Sequence, residues 1–144
     1  MDARAQAAKY YDANPVFPND IPFYRQRILS LQAKVMELGC GTGRVLVSLV
    51  DRCRYIHGID HSEEMLALCG KKLQERRVPS RKARAELGDI TNFSLPTQFD
   101  LAIAPFRVLQ TLVTDAEVEG LFRCVRKHLA PGGKLHPQRV QPSV

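Results

Sequence analysis

Three glycines, Gly39, Gly41 and Gly43, alternate through the run Glu37-Leu-Gly-Cys-Gly-Thr-Gly-Arg44, and an acid, Asp60, stands 21 residues after the first of them. Alternate glycines in a turn that leads into a helix let the main chain come close to a ligand, with backbone N–H groups and the positive helix end facing an anion. An acidic side chain about twenty positions later can accept two hydrogen bonds from a ribose diol. Together the two signals predict a ligand that contains a nucleoside. A dinucleotide loop reads G-x-G-x-x-G and needs Gly or Ala in the position that Arg44 occupies here. Glu37 is a poor neighbour for a pyrophosphate and a good one for an ammonium group. A ligand with a carboxylate, an ammonium and a ribose is an amino acid joined to a nucleoside.

These residues need elements to position them. Val35–Leu38 reads as a strand leading into the glycine run, and Gly43 to about Arg52 as the helix after it. Tyr55–Ile59 is a second strand, ending at Gly58-Ile-Asp-His61. Ser62 is a good N-cap for a helix to about Arg76, with Glu63 and Glu64 in its first turn and Met65, Leu66, Leu68 and Leu73 expected inside. Ala83–Leu87 and Leu101–Ala104 read as further strands. Thr114 and Glu117 form a capping box for a helix with Val118, Leu121, Phe122, Val125 and Leu129 at core spacing, which Ala130-Pro-Gly-Gly133 stops. Upstream, residues 3–12 and Ile21–Leu31 read as helices around a proline-broken loop. Strands alternating with helices imply an α/β fold with a parallel sheet, helices on both faces, and a ligand beyond the C-terminal ends of the strands.

Composition agrees with one soluble domain: 144 residues, 44% hydrophobic and 25% charged. The net charge of +6 is a weak pointer to an anionic partner. Cys40, Cys53, Cys69 and Cys124 have no CxxC pair and no metal-ligand spacing, so they read as reduced thiols of a cytosolic (cytoplasmic) protein, with no metal. No apolar run nears the ~18 residues of a membrane span, and the N-terminus lacks a signal-peptide core. No membrane partner is expected.

The ordered set Val35–Arg44, Gly58–Met65, Gly88-Asp-Ile90, Phe99–Phe106 and Leu129–Gly133 resembles the class I S-adenosylmethionine-dependent methyltransferases, over roughly residues 10–135. Tyr10-Tyr-Asp12 and Asp20-Ile-Pro-Phe-Tyr24 resemble the lead-in of small-molecule and uncharacterised members. The resemblance implies a Rossmann-like, doubly wound, mostly parallel sheet and S-adenosylmethionine as cofactor, with S-adenosylhomocysteine as product. It places Glu37 and the backbone of Gly39, Cys40 and Gly41 at the methionyl part, and Asp60 at the ribose hydroxyls. It also places His61 and Met65 beside the adenine, Asp89 and Ile90 at the adenine edge, Ala104 near the sulfonium, and Tyr11 over the methionyl carboxylate. Methyl transfer is an in-line displacement in which alignment dominates. No catalytic residue is assigned. Phe106 and Arg107 could face the acceptor, for which a small molecule is favoured. His128, at a helix C-terminus where a charged imidazole is favoured, is not read as catalytic.

The resemblance makes residues 1–33 a helical lead-in, 34–133 the cofactor core and 134–144 an irregular tail. The tail, with two prolines, reads as a poor strand, so the last strands of the family's sheet are expected to be missing. Read one base later from Leu135, the degenerate codons permit Phe-Ile-Leu-Asn-Val-Phe-Asn-Pro, and a frameshift would account for the tail. An open sheet edge would favour a homo-oligomer, and loss of the region from which the family builds part of the acceptor pocket would leave a weak activity. The basic stretch from Lys71 to Arg84 lacks interleaved aromatics and reads as a solvated helix end, which makes nucleic acid an unfavoured partner. Two alternatives to a methyltransferase stay open: a non-catalytic S-adenosylmethionine-binding module, and a nicotinamide-dependent oxidoreductase.

Overall fold

The computed structural model describes residues 19–105 and 108–137. The expected helix over 3–12, Tyr11, Phe106, Arg107 and the tail beyond Pro137 lie outside the described residues.

Five strands, β1 (Lys34–Leu38), β2 (Tyr55–Asp60), β3 (Ala83–Leu87), β4 (Phe99–Ala104) and β5 (Leu129–Pro137), form one sheet in the order β3-β2-β1-β4-β5, every pair parallel. Alternation along the strands divides the core. On one face Val35, Ile56, Leu101 and Ile103 meet α1 (Ile21–Arg27), α2 (Leu46–Leu49) and α3 (Glu63–Glu75) through Tyr24, Leu46, Leu49, Cys69 and Leu73. On the other face Met36, Leu38, Ala102 and Ala104 meet α4 (Asp115–His128) through Leu121 and Val125. The sheet is therefore doubly wound, as the alternation of elements predicted.

Several expectations need correction. The helix over Gly43–Arg52 shrinks to four residues of α2 and a 3₁₀ turn at Val50–Arg52. Its β-branched Val45, Val47 and Val50 lose side-chain freedom in a helix and shorten it. Helix α1 stops at Arg27 because Ile28 turns extended, with φ −85° and ψ 101°. In α3, Cys69 and Leu73 are the buried residues, whereas Met65, Leu66 and Leu68 are only half-buried. Val118 and Phe122 of α4 face outward, Phe122 with 45% of its surface exposed.

The largest correction concerns the tail. Residues 134–137, expected to be irregular, are strand: Lys134, Leu135, His136 and Pro137 pair with Leu101, Ala102, Ile103 and Ala104. Of the tail's two prolines, Pro137 is the last described residue of β5 and Pro142 lies outside the described residues. Phe99 opposes Leu129 and Leu101 opposes Lys134, so Ala130-Pro-Gly-Gly133 bulges out of register, with Gly132 at φ 81°. Among the described residues β5 pairs with β4 alone, so its outer side is an edge of the sheet.

Both capping expectations agree with the structure. Ser62 accepts the Met65 N–H, and Thr114 and Glu117 complete their capping box. Because the helices run against the strands, their first turns bring Glu63, Glu64, Asp115 and Glu117 to the carboxyl edge of the sheet. Their last turns bring Arg25, Arg27, Lys72, Arg126 and Lys127 toward the amino edge. No helix of the described residues is long and apolar enough to cross a membrane.

Candidate cofactor site

The glycine run lies at the carboxyl edge, between β1 and α2. Gly39, Gly41 and Gly43 have φ of 68°, 55° and 84°, the left-handed region that L side chains avoid. The spacing thus reflects a turn with a left-handed residue at every second position. It also permits close contact: a Cβ on Gly43 would lie 2.6 Å from Cys69 Sγ, and one on Gly39 would lie 2.8 Å from Val108 Cγ2.

Contrary to the expectation from sequence, the N–H groups of Gly39, Cys40, Gly41 and Gly43 are taken up within the chain. Gly39 and Cys40 both donate to the Ile59 carbonyl, at 2.7 and 3.1 Å, and Gly43 donates to the Cys40 carbonyl at 2.9 Å. Gly41 donates to Asp60 Oδ2 at 2.8 Å. Helix α2, with four residues, is too short to hold an anion at its end. A pyrophosphate would need those donors, so the turn is unsuited to a dinucleotide.

Beside the turn stand two buried acids. Glu37, near the end of β1, is 2% exposed, and its Oε1 has no hydrogen-bond partner among the described residues. Burial pushes its carboxyl well above the ordinary carboxylate range, with the Cys69 thiol adding to the effect and Arg44 opposing it. A buried, unpaired carboxyl oxygen is costly unless something completes it, and a ligand ammonium would do so. Asp60, buried at the end of β2, accepts from the Ser62 N–H through Oδ1 at 2.9 Å, beside its bond to Gly41. A carboxylate has about four acceptor sites, which leaves capacity for two hydroxyls. These residues fit a cofactor with an amino-acid head and a ribose.

The other expected residues are distributed unevenly. Cys40 is buried, and a hydrogen bond with Cys69, then burial, raises its thiol pKa, so it is inert packing under the turn. His61 is exposed, 3.9 Å from Asp60 Oδ1, and Met65 is half-buried on the first turn of α3. Asp89 is exposed and accepts from the Thr91 N–H and hydroxyl at 2.8 and 2.7 Å, the hydroxyl contact chiefly lowering its pKa. Ile90 is half-buried against the α4 side of the core, and Ala104 is fully buried there, so the Ala104 side chain serves packing.

Two features escaped the sequence. Arg44 forms a forked ion pair with buried Asp20, at 2.8 and 3.1 Å, and so ties the lead-in to the turn. Val108 covers Gly39 from the turn after β4. His128 is buried; its Nε2 accepts from the Leu95 N–H at 2.8 Å, leaving Nδ1–H to donate to the Cys124 carbonyl at 2.6 Å. That network requires a neutral ring, so the expected partial charge at the helix end is corrected, and the residue is structural.

Comparison with known proteins gives the family. A family model described as a methyltransferase domain matches residues 35–133. The chain belongs to the class I S-adenosylmethionine-dependent methyltransferases. This methyltransferase chain is 31% identical over 104 residues to the putative methyltransferase YqeM of Bacillus subtilis (strain 168), covering 72% of the chain and 41% of the relative. It is 30% identical over 101 residues to the dTDP-3-amino-3,6-dideoxy-alpha-D-glucopyranose N,N-dimethyltransferase of Streptomyces fradiae, covering 70% and 37%. The solved structure of CalS10 with bound S-adenosylmethionine, an amino pentose methyltransferase from Micromonospora echinaspora, is 27% identical with a TM-score of 0.73, over 99% of this chain and 59% of that one. The methyltransferase chain thus spans about two fifths of the length of these curated relatives.

Proposed function

We propose that the chain binds S-adenosylmethionine at the carboxyl edge of β1 and β2 and passes its methyl group to a small-molecule acceptor that carries an amine. The observation that carries the reading is Glu37, a buried carboxyl whose Oε1 lacks a partner among the described residues, beside a turn in which Gly39, Cys40, Gly41 and Gly43 spend their N–H groups on the chain itself. Glu37 would take the cofactor ammonium and Asp60 its ribose hydroxyls. His61, Met65, Asp89 and Ile90 would border the adenine. The cofactor, when bound, supplies a methyl carbon already activated for displacement. The chain's own contribution is alignment and exclusion of water, which suffices for an in-line reaction. An amine acceptor is favoured because two of the similar proteins above are named for amino-sugar substrates. Isothermal titration with S-adenosylmethionine, its demethylated product and NAD tests the reading. Binding of the first two and not of NAD is expected, and Glu37→Gln should weaken both. A methyl-release assay over a panel of amino sugars tests the acceptor.

A further inference from the structure

We propose that the amino edge of the sheet, opposite the cofactor site, is a docking face for a bilayer of anionic phospholipid. All five strands are parallel, so all five begin on this edge. The chain gathers arginines there from three separate places. Arg54 immediately precedes β2, its N–H donating to the Ala33 carbonyl at 2.8 Å. Arg81 lies two residues before β3, next to Lys82, whose carbonyl accepts the Ile56 N–H at 3.0 Å. Arg76 and Arg77 follow the end of α3, where Val78 N–H folds back to the Leu73 carbonyl at 2.9 Å. All four arginines are exposed, and none forms an ion pair among the described residues. The acids of this edge are engaged: Asp51 holds Arg25 at 2.9 Å, Glu75 lies 3.9 Å from Lys71, and Asp100 accepts the Lys34 N–H at 2.8 Å.

Helix polarity explains basic residues in a last turn, but it does not explain Arg54 or Arg81. Nor does it explain Arg77, at φ 56°, which is the one non-glycine with positive φ among the described residues. That position closes a helix with the backbone pattern that favours glycine, so local stability argues for glycine and not for a cation. The same edge displays Leu29 and Leu31, exposed over 90% and 64% of their surfaces, on the loop between α1 and β1. A nucleic-acid backbone would engage the arginines and leave both leucines in water. A bilayer interface takes both, with leucines among the acyl chains and guanidinium groups at the phosphates. A second copy of the chain would bring like charges together.

The test is co-sedimentation of the full chain with phosphatidylcholine vesicles, with and without phosphatidylglycerol. Binding to the anionic vesicles about tenfold or more above the neutral ones, declining with added salt, is expected. Leu29→Ser with Leu31→Ser changes exposed side chains only, and should weaken that binding about tenfold with an unchanged melting temperature. Arg77→Gly should raise the melting temperature while weakening vesicle binding about fivefold, a combination that a purely structural arginine would not produce. Equal binding to both vesicle types, or no binding, overturns the proposal. So does a chain that binds a short RNA or DNA duplex more tightly than vesicles, with the leucine variant indifferent.

Discussion

The Asp60 carboxylate accepts the Gly41 N–H at 2.8 Å and the Ser62 N–H at 2.9 Å, joining the glycine turn after β1 to the start of α3. One side chain therefore shapes the turn and presents acceptors at its mouth. Asp60→Ala should lower stability by about 1–3 kcal/mol through the two backbone donors it strands, and should weaken cofactor binding by a similar amount. Chemical denaturation and titration with S-adenosylmethionine measure the two effects separately. Unchanged affinity would remove Asp60 from the site.

Glu37 gives a pH signature. Its folded pKa is raised, so between the unfolded carboxylate value and the folded one the native chain holds a proton that the unfolded chain has lost. Its contribution to stability is therefore present at low pH and is lost as pH rises through that window. Glu37→Gln should remove this slope and stabilise the ligand-free chain near neutral pH by about 1–3 kcal/mol. A cofactor ammonium reverses the preference and draws the carboxylate form. Binding should then release a proton and tighten as pH rises. Calorimetry in two buffers of different ionisation heat detects that proton.

The Asp20–Arg44 pair is forked and largely enclosed, with side chains 2% and 17% exposed. Breaking such a pair from one side leaves an uncompensated charge. Arg44→Met alone should cost about 3–5 kcal/mol, while Arg44→Met combined with Asp20→Leu should recover much of the loss. Urea unfolding of both singles and the double variant closes the cycle, and additive losses would show that the pair is uncoupled.

Among the described residues no strand pairs with the outer side of β5, and beside it Phe122, Val125, Leu129 and Leu135 line a groove. Such an edge is expected to recruit a second copy. Light scattering should show a mass that grows with concentration, and Phe122→Asp should return the chain to a monomer. A monomer at all concentrations contradicts self-association.

The legible parts of the fold were those with local causes. Ser62 and Thr114 announced their helices because a cap needs only its own turn. The strand preceding Gly39 and the strand ending at Asp60 were readable from short apolar runs with turn chemistry after them. What failed depended on distant neighbours. The tail's prolines argued against a strand, yet residues 134–137 pair with β4, with Pro137 the last described residue of β5. Val118 and Phe122 fit a core-facing helical spacing but are exposed, because spacing alone does not say which turn of a helix meets the sheet. At the glycine turn, Glu37 and Asp60 were singled out by their positions relative to the glycines, and both are buried beside it. The destination of the N–H groups of Gly39, Cys40 and Gly41 was not, because it depends on how β2 lies beside the turn.

The acids that cap α3 and α4 ring the same edge as Glu37 and Asp60. A sulfonium ligand reaches that rim with a net positive charge, and its demethylated form departs without one. Long-range attraction should therefore speed arrival of the methylated ligand over its demethylated form, a bias that added salt should erase.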